Sequence, residues 1–341
     1  DLLERDPIIL DNRLIAKELY QKNVFITGAA GSIGSEIVRQ ISNYNPKKIV
    51  LIDQAETPLY DIQTEVVKTF PNIKYKFIIS DVVNYDKLDK IFEHYRPDIV
   101  YHAAAYKHVP MMESNPAEAI LVNVQGSKNL ADLSLKYDVD KFVMVSTDKA
   151  VNPSNVMGAS KRIAEMYVQS LHFHTRQSLS FKTNFITTRF GNVLGSNGSV
   201  VPLFKKQIEE GGPLTITHPD IIRYFMTIPE ACQLVLEAAS MGKGGEIFIF
   251  DMGKAVKIID LATKIIKLAG FIPNKDIDIK VIGLRPGEKL FEELLCDKTK
   301  TLPTYNKKIM IAKVHAEEFN KLSEEISILV DYANQVNNHK M

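Results

Sequence analysis

Ser146, Thr147, Asp148 and Lys149 stand side by side in VMVSTDKAVNP. An acid, a base and two hydroxyls so close together make a proton-transfer set. The same residues would also serve as a capped turn carrying a surface ion pair, and the local sequence does not choose between the two. A second group is the glycine run in VFITGAAGSIGSE. Gly28, Gly31 and Gly34, with Ala30, Ser32 and Ile33 between them, let the backbone turn tightly and approach a pyrophosphate, which then rests on helix-terminal N–H groups. The spacing is GxxGxxG, not the more widespread GxGxxG. Asp53 follows about 20 residues beyond the last glycine, where an acid accepts both ribose hydroxyls and repels a 2′-phosphate. Gln54, Ala55 and Glu56 offer no cation beside it, so the pattern favours NAD over NADP. Asp53 also suits the cap of the next helix.

Weaker signals surround these. Asp81 and Val82 follow a β-rich run, where an acid meets an adenine ring or closes a turn. HAAAY supplies Ala103, Ala104 and Ala105, small enough for a cofactor to approach the backbone. NVMGASKR places Met157 four residues before Lys161. Dehydrogenases of the short-chain type carry Tyr-x-x-x-Lys at this place. The literal pattern occurs at Tyr44/Lys48 and Tyr137/Lys141, both ahead of a strand and so on the edge opposite the glycine loop. No His or Cys group has metal-ligand spacing, and no nucleophile elbow or GxxxxGK loop is present.

These residues need a frame. Short β-branched runs mark strands at Asn23–Thr27, Lys48–Ile52, Ile73–Ile79, Asp98–His102, Lys141–Ser146 and Thr183–Arg189. Helical patterns near 33–44, 56–69, 84–95, 116–137 and 155–173 alternate with them. That alternation predicts a doubly wound, Rossmann-type α/β fold around a parallel sheet. Beyond Arg189 the texture changes. FGNVLGSNGSVVP reads as a loop. Short helices follow, then a strand at Glu246–Phe250 that returns to the first sheet, a helix near 256–269 and a strand near 277–282. The tail reads as one strand, KIMIAKV, and one helix. The expected organisation is a lead-in over 1–20, a dinucleotide domain over 21–190, a smaller substrate-binding lobe over 191–315 and a C-terminal helix over 316–341.

Composition bounds the rest. The 341 residues carry 42 Lys+Arg against 41 Asp+Glu, a net charge of +1, which argues against an electrostatic nucleic-acid binder. A hydrophobic share of 45% and a charged share of 24% are those of a globular chain. Cys232 and Cys296 form no CxxC pair and read as buried thiols of a reducing compartment. No apolar run reaches the ~20 residues of a membrane helix. The first residue is Asp1, not Met, as in a piece of a longer protein.

TGAAGSIG, HAAAYKHVP, STDKAVNP, MGASK, RFGNVLGSNGSVVP, THPDIIRYFM and LRPGEK occur in that order. As a set they resemble the extended short-chain dehydrogenase/reductases, and among them the bacterial UDP-N-acetylglucosamine 4,6-dehydratases of surface-polysaccharide and glycoprotein-glycan synthesis. Met157 and the lead-in DLLERDP resemble the large, membrane-associated branch that retains C5 configuration. The resemblance implies NAD as cofactor and UDP-N-acetylglucosamine as substrate. It implies Asp148 as acid for the C6 hydroxyl and Lys149 as base at C5, its charge depressed by burial or by a neighbour such as Lys161. Lys161 would hold the nicotinamide ribose and Thr147 the C4 hydroxyl. Lys107, His108 and Pro110 would lie near the sugar, Asn192 and the loop through Val200 near the diphosphate and uridine. Arg223 and Arg285 would meet phosphate, and Glu288 the uridine ribose. It further implies a homo-oligomer and a parent protein with an N-terminal transmembrane region at the cytoplasmic face of the bacterial inner membrane. Two rivals remain: a UDP-N-acetylhexosamine 4-epimerase, and a dinucleotide-binding regulator without chemistry.

Overall fold

The computed structural model describes residues 12–177, 182–292, 301–314 and 316–336. The first half runs α1 (Asn12–Leu19), β1 (Asn23–Thr27), α2 (Ser32–Ser42), β2 (Lys48–Asp53), α3 (Glu56–Thr69), β3 (Tyr75–Ile79), α4 (Tyr85–Tyr95) and β4 (Ile99–His102). Then come α5 (Val109–Ser114), α6 (Pro116–Ala119), a π-helical turn (Ile120–Gln125), α7 (Gly126–Lys136), β5 (Lys141–Thr147), a 3₁₀ turn (Asp148–Ala150), α8 (Val156–Arg176) and β6 (Asn184–Phe190). The second half holds β7 (Asn192–Leu194), α9 (Val200–Glu209), β8 (Leu214–Ile216), β9 (Ile222–Thr227), α10 (Ile228–Met241) and β10 (Ile247–Phe250). It ends with β11 (Ala255–Lys257), α11 (Ile258–Leu268), β12 (Ile279–Val281), β13 (Thr301–Pro303), β14 (Ile309–Ala312) and α12 (Phe319–Asn334).

Nine strands form the main sheet in the order β13-β14-β10-β6-β5-β4-β1-β2-β3. The seven from β10 to β3 are parallel, and β14 and β13 close the edge antiparallel. Such strands are covered on both faces, so they read as continuous apolar runs. Alternate residues nonetheless enter different cores. Val24, Ile26, Ile49 and Leu51 join the layer of α1, α2 and α10. Phe25, Val50, Phe142 and Met144 join the layer of α4, α7 and α8. Connections run one way from β1 to β2 and β3, and the other way from β4 to β5 and β6. The crevice between β1 and β4 is the place where this architecture binds ligands.

A smaller lobe sits at the carboxyl ends of these strands. It holds a three-stranded sheet, β11-β9-β7, and a two-stranded one, β12-β8, around Phe204, Leu214, Phe225, Leu261 and Ile265. β7 and β9 of the first sheet come from chain before β10, and β11 from chain after it.

Several sequence expectations need correction. The run 190–202 is not loop throughout: Asn192–Leu194 pairs with Phe225–Thr227, and α9 begins at Val200. The helix expected over 116–137 is broken by the π turn, whose six residues bury Ile120, Val122, Asn123 and Val124. The lead-in contains α1, which buries Ile15 and Leu19, while Glu18 pairs with Lys141 at 2.6 Å. Cys232 is a buried thiol, whereas Cys296 and the motif DLLERDP lie outside the described residues. Among the described residues no helix is long and apolar enough to cross a membrane.

Candidate active site

The glycine loop leaves β1 and enters α2 between two neighbouring strand ends. Gly28 has φ +67°, and a Cβ there would lie 2.5 Å from the Ala104 nitrogen. The loop therefore seats directly on the end of β4, where Ala103 donates its N–H to Thr27 O at 3.0 Å. Gly34 stands behind the turn; its Cβ would lie 2.1 Å from Gly28 O. Gly28, Ala30, Gly31, Asp53, Asp81, Val82 and Ala103 to Ala105 line one cleft. Asp53 spans it at the root: Oδ2 accepts from Ala30 N–H and Oδ1 from Ala55 N–H, both at 2.9 Å. Asp81 accepts from Val83 N–H, closing its own turn at the cleft wall. Ser32 faces the lobe and accepts from Asn197 N–H at 3.0 Å, while Ile33 packs inward and its carbonyl accepts from Cys232. A wall of glycines and alanines, open over the amino end of α2 with an acid at the ribose position, fits a dinucleotide.

β5 delivers the proton-transfer set to the same edge of the sheet. Thr147 donates to Asp148 Oδ1 at 2.9 Å, and Lys149 Nζ donates to that oxygen at 3.0 Å. Asp148 is 2% exposed. Gly191 lets it in, since a Cβ there would lie 2.9 Å from Asp148 Oδ2. Asn192 Oδ1 lies 3.4 Å from Lys149 Nζ. Lys149 also faces a carboxylate absent from the sequence reading, Glu292 Oε1 at 3.4 Å. Burial pushes the Lys149 ammonium toward the neutral form. The Asp148 and Glu292 carboxylates outweigh burial and Arg223, and Lys149 ends above the ordinary lysine range. The expected depression by Lys161 is thus reversed. Lys161 is committed elsewhere, donating to Val145 O at 2.8 Å. Burial pulls Lys161 down to about 8, with Glu165 opposing. Met157 is 3% exposed and packs with Met112 and Ala119, with Tyr106 and Val109 beside it.

The lobe residues form a second charged group. Arg223 donates to the carbonyls of Ile222, Lys289 and Leu290 and lies 3.6 Å from Glu288 and 3.5 Å from Glu292. Its fork is engaged within the chain rather than directed to solvent. Arg285 is more open and pairs with Glu288 at 3.4 Å. Glu288 also accepts from Thr217 at 3.2 Å. Lys107 reaches Ser196 at 3.4 Å. The His108 ring, held neutral by burial and by Lys107 and Arg285, lies where a Gly198 Cβ would sit. Pro110 opens α5, and Val200 begins α9.

The sequence profile of a family described as polysaccharide biosynthesis protein matches residues 24–314. The chain belongs to this family. One relative is the capsular polysaccharide biosynthesis protein CapD of Staphylococcus aureus, 56% identical over 86% of this chain and 48% of that protein. The chain thus spans about half the length of that relative. A UDP-N-acetylglucosamine 4,6-dehydratase (inverting) of Campylobacter jejuni is 37% identical over 81% of this chain and 78% of its own length. A UDP-glucose 4-epimerase of Rickettsia canadensis is 36% identical over 91% and 90%. Among solved structures, the dTDP-glucose 4,6-dehydratase DesIV of Streptomyces venezuelae, a double mutant with NAD bound, superposes with a TM-score of 0.67. It is 18% identical and covers 80% of this chain and 87% of that one, a likeness of fold. The family match stops short of α12 and leaves α1 outside.

Sequence reasoning passed over four residues that the geometry brings to this family member's site: Glu292, Gly191, Asn155 and Glu165. Glu165 is wholly buried and accepts from Ser146 at 2.6 Å and from the Arg189 guanidinium, fixing the end of β5 from beneath. Asn155 caps α8 by accepting from Gly158 N–H and donates to Gly287 O across to the lobe. Only the Asn155 cap had a readable signal, an Asn just before a helical pattern.

Proposed function

We propose that this chain dehydrates UDP-N-acetylglucosamine at C4–C6 with NAD, giving a 4-keto-6-deoxy sugar with C5 configuration retained. The observation that carries this is the Thr147–Asp148–Lys149 set at the ligand-binding edge of the sheet, with Asp148 buried and its two neighbours partly so. A 4-epimerase needs one proton acceptor at O4. It does not need a second acid and base, and withdrawing Asp148 from water with Lys149 beside it has a desolvation cost that a catalytic use would justify. Identity to relatives is nearly equal for the dehydratase and the epimerase, so the reading rests on the site.

Gly28, Gly31, Asp53, Asp81 and Ala103 to Ala105 would hold the dinucleotide. When bound, it supplies oxidation at C4 and the later return of hydrogen to C6. The protons are left to side chains. Thr147 passes the C4 hydroxyl proton to Asp148. Asp148 then gives that proton to the C6 hydroxyl as the C6–O bond breaks and water leaves. Lys149 takes the C5 proton, made acidic by the ketone at C4, and returns it to C5. Lys161 holds the nicotinamide ribose and steadies negative charge on the C4 oxygen. Met157 takes no proton and fills its pocket, which supports the Thr147–Asp148 route for the C4 proton. Lys107, His108, Asn192, Arg285 and Glu288 would border the nucleotide sugar, with Arg223 turning to the diphosphate as it arrives.

By the same resemblance the chain acts as the catalytic part of a longer membrane-attached protein of surface-glycan synthesis, assembled as a homo-oligomer. The test is to incubate it with UDP-N-acetylglucosamine and NAD in deuterated water and follow the sugar by mass spectrometry and proton NMR. Loss of one water with a deuteron at C5 is expected, the C5 coupling showing retention. Interconversion with UDP-N-acetylgalactosamine without water loss would make it an epimerase. Tight NAD binding with no turnover would make it a regulator.

A further inference from the structure

Lys149 must present a free amine to take a proton from carbon, yet it rests as an ammonium between two carboxylates. Asp148 is committed to the proton from O4. Glu292 is the other acceptor within reach, at 3.4 Å. Its side chain is buried, and its counter-cation is Arg223, whose Nε lies 3.5 Å away. The remaining N–H groups of Arg223 hold the segment 288–290 through the Lys289 and Leu290 carbonyls, and that segment presents Glu292. The groups facing Lys149 are therefore Asp148 from its own turn, Glu292 from this segment, Arg223 from β9 and Asn192 from β7.

We propose that Glu292 is the resident proton acceptor for Lys149, a positioning residue that frees the Lys149 amine when a nucleotide diphosphate engages Arg223. The inference rests on the dehydratase reading and on Arg223 meeting phosphate. Without Arg223 the buried Glu292 carboxylate binds a proton more tightly. Arg223 also pushes Lys149 toward the free amine, but as the smallest of the influences on it, so its withdrawal acts mainly on Glu292, 3.5 Å away, and favours a neutral pair over the ion pair. The Lys149 Nζ–H bond breaks and a Glu292 Oε1–H bond forms, so the ion pair becomes a neutral pair and their summed charge stays at zero. Lys149 next accepts the C5 proton and returns it to C5. When product leaves, Glu292 gives the stored proton back and the resting ion pair re-forms. No outside acid, base or oxidant is needed for this exchange.

The test uses the full chain as Glu292→Gln and Glu292→Asp. Turnover and C5 deuterium uptake are followed across pH 6–9.5, a range of order set by the groups involved. In Glu292→Gln, turnover at pH 7 falls about tenfold or more and recovers as pH rises, because solvent must now remove the proton. Glu292→Asp regains part of the loss. Independently, lysine labelled with ¹³C at Cε reports the Lys149 charge by NMR, its signal assigned by its loss in Lys149→Arg. Adding UDP should move that signal toward the free amine in the wild type and not in Glu292→Gln. A UDP-insensitive Lys149 signal in the wild type, a pH-independent loss in Glu292→Gln, or no loss at all would overturn the proposal. If the wild type instead epimerises without losing water, the dehydratase reading fails, while the response of Lys149 to UDP still decides the role of Glu292.

Discussion

Gly28→Ala tests whether the dinucleotide cleft depends on contact between two strand ends. At φ +67° a side chain costs about 1–2 kcal/mol from backbone strain alone. The added methyl would also sit 2.5 Å from Ala104 N, 2.6 Å from Ala104 Cα and 2.7 Å from Ala103 C, all backbone atoms that cannot rotate away. Forcing the turn off β4 adds about 1–3 kcal/mol, as overpacking does elsewhere. The expected loss is about 2–5 kcal/mol, a large share of a typical margin of about 5–15. The chain has no tryptophan, so urea unfolding followed by far-ultraviolet circular dichroism is the suitable assay. Calorimetry on the folded fraction should show NAD binding weakened at least about tenfold, since a displacement costing ~1.4 kcal/mol in the bound state suffices. An unfolding free energy within about 0.5 kcal/mol of wild type, with NAD affinity intact, would refute the reasoning, because it would mean the two strand ends do not meet here.

Three further outcomes follow from the same geometry. Asp148→Asn and Lys149→Ala should each lower turnover about 10²–10⁴-fold while calorimetry finds NAD binding unchanged; a full-speed initial C4 oxidation in both, read at 340 nm, would remove the Thr147–Asp148 route. Asp53→Ala leaves the N–H groups of Ala30 and Ala55 without an acceptor, costing about 1–3 kcal/mol in urea unfolding, and should narrow any preference for NAD over NADP. Lys161 loses its proton near pH 8 when folded but near 10.5 when unfolded, so the unfolded chain binds more protons between those values and stability rises with pH there. Lys161→Met should therefore be more stable than wild type at pH 7, by about 3 kcal/mol before lost contacts, with the gap closing toward pH 10; a gap that does not change with pH would contradict it.

The first half of the molecule was legible because its strands are covered on both faces. Runs such as Lys48–Ile52 and Lys141–Ser146 carry their apolar signal locally, and each observed strand lies within two residues of its expected bounds. The lobe hid itself for the opposite reason. β7 is three residues long, sits between glycines, and exists only because β9 supplies its partner more than thirty residues away. The π turn was invisible because one extra residue per turn leaves the apolar spacing close to helical, while Asn123 inside it binds Tyr106 and Ser160. Glu292 shows the limit for sites: it lies in an irregular segment, so no period connects it to Lys149, 143 positions earlier by number. The charge of Lys149 was misread for the same reason. Burial, which lowers it, was expected to win; Asp148 was visible beside it and raises it most, but the second carboxylate, from Glu292, was not visible.

The two excursions of the chain into the lobe have a mechanical consequence. The backbone leaves the main sheet after β6, returns through Thr227 into α10, and leaves again after β10. Among the described residues three crossings tether the lobe, and strands from both excursions are hydrogen-bonded within it. A single flexible hinge cannot serve such a body. Any opening that admits a nucleotide sugar must bend these tethers in concert, so the lobe would rock through a small angle as one piece.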